Sequence, residues 1–236
     1  MLDYYAEIQR FDMECGMILQ LLEGEGKLEN TIVIMLGDNG WQMPRGLANV
    51  YDAGTHVPLV MQWPGFINGG VTVDTFVSFE DIAPTLFDLL GIRPDWSMTG
   101  KSFKNVLTGK TLNHHSEVFL ERERHANVRT GNRSYPCRAI RTNDFLWIWN
   151  LAPELSPAGD AETYWAVGPF GDIDNSETKS LLLGADDASG LARFRNLAIG
   201  MRPEFELYDL KADPLQQKDI SRQRPEVTER LKKKLL

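Results

Sequence analysis

Cysteine is scarce in this chain of 236 residues, which contains only Cys15 and Cys137. Two cysteines are too few for a disulfide framework and leave the redox compartment undecided. Positive charge is in deficit, with 25 Lys and Arg against 33 Asp and Glu and a formal charge of −8. No domain-wide basic field is therefore available for nucleic acid. No apolar run approaches the roughly 18 residues a transmembrane helix needs, so no membrane span is expected. The residues after Met1 carry neither a charged n-region nor an apolar h-region, so no signal peptide is expected, and localisation stays open. What is abundant is apolar residues, 42% of the chain. That suffices for a sizeable core in one large domain or one and a half.

The most informative stretch runs from Thr31 to Gly54, TIVIMLGDNGWQMPRGLANVYDAG. Ile32 to Leu36 is a continuous apolar run, too short for an ordinary helix, and reads as a strand buried on both faces of an α/β sheet. Gly37 frees the backbone, and Asp38 and Asn39 follow at the carboxyl end, where open α/β sheets place their ligand crevices. A carboxylate beside an amide oxygen gives two hard oxygen donors, which suit calcium or magnesium better than zinc. Asp-Asn-Gly also suits a simple turn, and the tripeptide alone leaves both readings open.

Elsewhere, Tyr4, Ile8, Phe11, Cys15, Ile18 and Leu22 recur three or four apart, the stripe of a helix packed on a sheet, with Cys15 as a core residue. Pro58 to Trp63 reads as a second strand. Ser78 to Gly91 reads as a capped helix whose Glu80 and Asp81 serve its positive end. Residues 92–113 mark a boundary, giving domains 1–112 and 113–236, with His114 and His115 as linker residues. Strands are expected at 117–120, 138–142, 145–149 and 204–210, and an amphipathic helix at 225–236. Between Arg122 and Arg141 lie six arginines (122, 124, 129, 133, 138, 141), which suit a polyanionic sugar chain or else pair with the surplus acids. Residues 151–203 read as a long loop region in which Trp165, near Tyr164 and Phe170, could stack on a sugar ring or pack. Asn132-Arg133-Ser134 is a glycosylation sequon.

Several motifs in order, TIVIMLGDNG with its DNG-x-x-x-P loop, YDAGTHVPLVMQWPG, VSFEDIAPTLFDLLGI, the SYP-x-R segment Ser134–Arg138 and the ELYDL-x-x-DP close Glu206–Pro214, resemble the calcium-dependent sulfatases of the alkaline-phosphatase-like superfamily. The resemblance is most specific to the heparan N-sulfatase branch. It implies an α/β fold: the second half of a sulfatase sheet domain, plus a smaller C-terminal α+β subdomain with an antiparallel sheet. It implies one calcium ion, half of whose ligands are present, with Asp38 and Asn39 as metal ligands. Arg45 is the cation expected to grip sulfate, although the family's basic position aligns with Leu47. His125, with Arg124 beside it, is expected at the substrate. Relatives of this kind are periplasmic, secreted or lysosomal.

The nucleophile of such enzymes is a formylglycine made from the cysteine of a C-x-P/A-S-R motif in the N-terminal half. These 236 residues hold no such motif. Cys137-Arg138-Ala139-Ile140-Arg141 imitates it loosely, but lies in a strand. The expectation is a hydrolase of sulfuric esters or sulfamates on a sulfated carbohydrate, inactive without its nucleophile half, with a separate N-terminal half or a homo-oligomer as possible partner. A non-catalytic glycan-binding module or vestigial fragment is the alternative. A metal-dependent phosphodiesterase of the same superfamily is a further one, against which Asn39 speaks, because zinc enzymes would place histidine there.

Overall fold

The helical stripe, the capped segment and the expected strands all form. In chain order the computed structural model contains α1 (Leu2–Gly24), β1 (Val33–Leu36), α2 (Asp52–Thr55), β2 (Leu59–Gln62), α3 (Ile82–Leu90), α4 (Lys104–Leu107) and β3 (Glu117–Arg122). There follow β4 (Cys137–Thr142), β5 (Phe145–Asn150), α5 (Glu177–Leu183), α6 (Ala192–Ile199), β6 (Phe205–Asp209) and α7 (Pro225–Leu235). The structure describes residues 2–162 and 168–235. Tyr164 and Trp165, the latter a candidate for sugar stacking, lie outside the described residues. No helix among the described residues is long and apolar enough to cross a membrane.

The chain forms two compact units, one of residues 1–36 and 59–114, the other of residues 37–58 and 115–236. In the first, α1 ends where Gly24 and the left-handed Gly26 (φ 65°) stop it. Its apolar stripe is present but uncovered: no α1 residue is buried, and Ile8, Phe11 and Ile18 are exposed. β1 and β2 pair antiparallel, Val33 opposite Gln62 and Leu36 opposite Leu59. The expected double-faced burial is not seen, since Leu36 and Val60 remain exposed. An apolar run records what a strand is suited to bury, whereas this one has a single neighbouring strand.

α3 begins with a reciprocal capping box between Ser78 and Asp81 and ends at Gly91 (φ 68°). Asp81 is fully buried, and its carboxylate accepts from Ser78 N at 2.9 Å and Lys101 N at 2.7 Å and pairs with His114 Nε2 at 3.1 Å. His114, expected as a linker residue, is thus part of this unit's core, its ring edge-on to Phe103.

The second unit is organised by the antiparallel meander β3-β4-β5-β6. Its register sets Arg122 opposite Cys137, Ile140 opposite Trp147, and Trp147 opposite Leu207. Alternation sends Ala139, Leu146, Ile148 and Tyr208 to one face, where Val50, Tyr51 and Leu155 cover them. Ile140, Trp147 and Leu207 point to the other face, against Val227 and Leu231 of α7. Burying a side chain the size of Trp147 or Leu231 contributes on the order of 2–3 kcal/mol. Residues 151–203, read as a long loop, contain α5 and α6. With 7 and 8 residues, each spans about two turns, too few to establish a helical period in the sequence.

Candidate functional site

The segment 37–58 is held by close backbone packing that only glycine allows. A Cβ on Gly40 would lie 1.9 Å from the Ala53 carbonyl oxygen, and one on Gly54 2.4 Å from that of Gly46. Gly40 N donates to Gly54 O at 3.0 Å and Leu47 N to Trp41 O at 2.7 Å. Arg45 and Ala48 adopt left-handed φ of 66° and 62°, which costs non-glycine residues roughly 1 kcal/mol each. The segment is pinned to the sheet by Tyr51, whose hydroxyl donates to Glu206 Oε2 at 2.8 Å. Asp52 adds a bidentate pair with Arg141, both contacts 3.0 Å.

On this frame Asp38 and Asn39 sit exposed. Asp38 Oδ1 accepts from Asn39 N at 2.9 Å, and Asn39 Nδ2 donates to Gly40 O at 2.7 Å. Commitment of Nδ2 leaves the Asn39 amide oxygen as the acceptor available outside the loop. The donors this pair offers a ligand are therefore oxygens, a set that fits calcium and supplies two of the roughly six to eight ligands it takes.

Arg45, the cation expected to grip sulfate, is engaged within its own unit. Its guanidinium lies over the Tyr51 ring, 3.7 Å from the centroid, and donates to Leu197 O at 3.5 Å and to Gln216 O. Glu206 is the hub of this core: Oε1 accepts from Asn150 Nδ2 at 2.8 Å, and Oε2 from Tyr208 as well as Tyr51. Burial, with Glu206 second, pushes the Tyr51 phenol above its ordinary range. Glu206 opens the ELYDL segment, but its role as a hub was not legible there, because Tyr51 and Asn150 lie 155 and 56 positions away.

The arginine-rich stretch divides into buried and exposed members. Arg122 and Arg129 are buried and converge on buried Asp172, at 2.5 and 2.8 Å from Oδ2. Arg138 pairs with Glu123 and, at 3.7 Å, with Glu121, and Arg141 pairs with Asp52. Four of the six expected arginines are thus neutralised by acids within the unit, the outcome the sequence left open. Arg124 donates to Asn132 Oδ1 at 2.7 Å and Arg133 to Thr130 O at 3.3 Å, and both are exposed. His125 pairs through Nδ1 with Asp172 Oδ1 at 3.1 Å while its side chain keeps 35% exposure. Among the described residues no hydrogen bond joins this group to Asp38 or Asn39.

Cys137 lies inside β4, buried, and burial pushes its thiol up to about 12. A protonated strand thiol is a poor candidate for covalent modification, consistent with treating Cys137-Arg138-Ala139-Ile140-Arg141 as an imitation. Cys15 is free and half-buried.

Residues 1–92 match the sulfatase family model. The chain is 28% identical over 220 residues to an ulvan-active sulfatase of Formosa agariphila, covering 92% of this chain and 34% of that protein. It is 29% identical over 229 residues to human N-sulphoglucosamine sulphohydrolase, covering 92% and 42% respectively. The chain therefore spans well under half the length of either relative. Among solved structures, one of a protein in complex with its substrate D-glucosamine-2-N,6-O-disulfate superposes with a TM-score of 0.65 at 21% identity, covering 99% of this chain and 39% of that one. The chain is thus similar to sulfatases, in residues 1–92 by the family model and over 92% of its length by these relatives.

Proposed function

We propose that this chain carries part of the active site of a hydrolase of sulfuric esters or sulfamates on a sulfated carbohydrate. Asp38 and Asn39 serve as calcium ligands, and His125 and Arg124 contact the substrate. The observation that carries the reading is the exposed oxygen pair Asp38–Asn39 on a loop locked by Gly40 and Gly54. Bound there, calcium would offset the charge of a sulfate group. Arg45 could join the substrate only by leaving the Tyr51 ring and two carbonyls. The 236 residues hold no formylglycine motif, so the chain alone is expected to release no sulfate.

The partner implied is the remainder of a sulfatase domain, and its support is the surface. Accessible area is 14503 Å² for 26.7 kDa, against roughly 10,700 Å² for a closed monomer of that mass. Counting the two compact units as separate monomers raises the expectation only to roughly 12,900 Å². The apolar face of α1 is part of that excess.

Calcium titration of the purified chain tests the reading. Weak binding that is lost in Asp38→Ala and in Asn39→Ala is expected. Binding unchanged by both substitutions, or sulfate release by the chain alone, refutes it. A non-catalytic glycan-binding role is favoured by one observation, the two exposed arginines Arg124 and Arg133, neither in a salt bridge among the described residues. That role predicts binding of a sulfated polysaccharide that is indifferent to Asp38→Ala.

A further inference from the structure

Asp172 is fully enclosed, and its two carboxylate oxygens are used differently. Oδ2 takes the Nη2 atoms of Arg122 and Arg129 at 2.5 and 2.8 Å, and Oδ1 faces His125 Nδ1 at 3.1 Å. Neither arginine can turn away. Arg129 is fully buried and also donates to Ser156 O at 2.8 Å and Pro157 O at 2.9 Å, while Arg122 donates to Pro157 O at 3.3 Å. Asp172 N is itself fixed by the Ala158 carbonyl at 3.0 Å. A carboxylate so surrounded accepts hydrogen bonds and has no proton to donate.

We infer that Asp172 is a positioning residue for His125, fixing the imidazole as the Nδ1–H tautomer so that Nε2 is the atom presented to solvent and substrate. This rests on the reading of His125 as a substrate contact and sharpens it. In the neutral ring Nε2 is an acceptor, so His125 would recognise a hydroxyl or sulfamate N–H of the sugar and leave sulfate oxygens to cations such as Arg124. Buried carboxylates orient imidazoles in this way wherever one ring nitrogen must be kept in a defined state.

Long-range proton–nitrogen NMR of the 236-residue chain, recorded above the ordinary histidine titration range, reads the tautomer of each of its four histidines. The His125 signals are identified by their loss in His125→Gln. The expected result is an Nδ1–H pattern for His125, which Asp172→Asn converts to a mixture or to Nε2–H because an amide can donate to Nδ1. An Nε2–H pattern in the unmodified protein overturns the inference, and this spectrum decides even if Asp172→Asn does not fold. Addition of glucosamine N-sulfate is expected to move the Nε2 resonance and spare Nδ1. An Nδ1–H tautomer whose Nε2 ignores the sugar would leave Asp172's positioning role standing and remove His125 from the proposed substrate site.

Discussion

Replacing Glu206 by Ala removes the acceptor of three buried hydrogen bonds at once. Tyr51 and Tyr208 share Oε2, and Asn150 Nδ2 uses Oε1 at 2.8 Å. Asn150 Nδ2 retains the Pro203 carbonyl at 2.8 Å, so two phenolic hydroxyls lose their acceptor. Each orphaned buried group costs about 1–3 kcal/mol, which puts Glu206→Ala near ~4 kcal/mol. Glu206→Gln keeps the volume and one carbonyl oxygen, and should cost ~1–2 kcal/mol. Because folded domains are held by only about 5–15 kcal/mol, urea denaturation resolves the two. Tyr51 also tethers the 37–58 segment, so calcium affinity should fall in Glu206→Ala and largely survive in Glu206→Gln. Two variants both within about 0.5 kcal/mol of the parent, with unchanged calcium binding, would refute the hub.

Three further outcomes follow from local geometry. Gly40→Ala places a methyl 1.9 Å from Ala53 O and 2.7 Å from Gly54 Cα; backbone cannot rotate aside, so a loss of ~2–3 kcal/mol with weakened calcium binding should appear in melting and titration. Gly16→Ala, mid-helix with nothing within 4 Å of the new methyl, should instead gain up to ~1 kcal/mol in urea denaturation and leave calcium binding unchanged. Burial raises the Cys137 thiol from 9.0 to about 12, so the folded state holds that proton more tightly. Its contribution is full below about pH 9 and is lost as pH rises towards 12; denaturation midpoints across that window, and native-state resistance of Cys137 to thiol reagents, check it.

Elements whose pattern is settled by near neighbours were legible in the sequence. The 3.6-residue stripe of α1, the Ser78 start and Gly91 stop around α3, and the apolar run Phe145–Trp149 each contain their own evidence. β1 shows the limit of that reading. Its apolar run signals a strand, yet whether the strand is parallel, antiparallel, central or at an edge depends on segments elsewhere, and among the described residues only β2 pairs with it. α5 and α6 were invisible for a different reason. Ser176 caps α5 by accepting from Lys179 N at 3.1 Å, but seven residues among prolines and glycines do not display a period.

The site divides along the same line. Asp38 and Asn39 are neighbours in the chain, so a pair of oxygen donors could be read there, although the tripeptide alone left a simple turn also open. Charge compensation could not: Arg122 meets an acid 50 positions away, Arg141 one 89 positions away, and Arg45 a carbonyl 171 positions away. In a chain of charge −8 the acids outnumber the cations, so a run of six arginines is as well suited to internal pairing as to an external polyanion. What the pairing leaves outward is small: Arg124, Arg133 and the half-exposed ring of His125. The long-range contacts also decide how the metal pair is held. Tyr51 and Asp52 reach Glu206 and Arg141, so the loop bearing Asp38 and Asn39 is braced by strands encoded far downstream. Any change that loosens β4 or β6 should therefore reach Asp38 and Asn39, the proposed calcium ligands, through Tyr51 and Asp52.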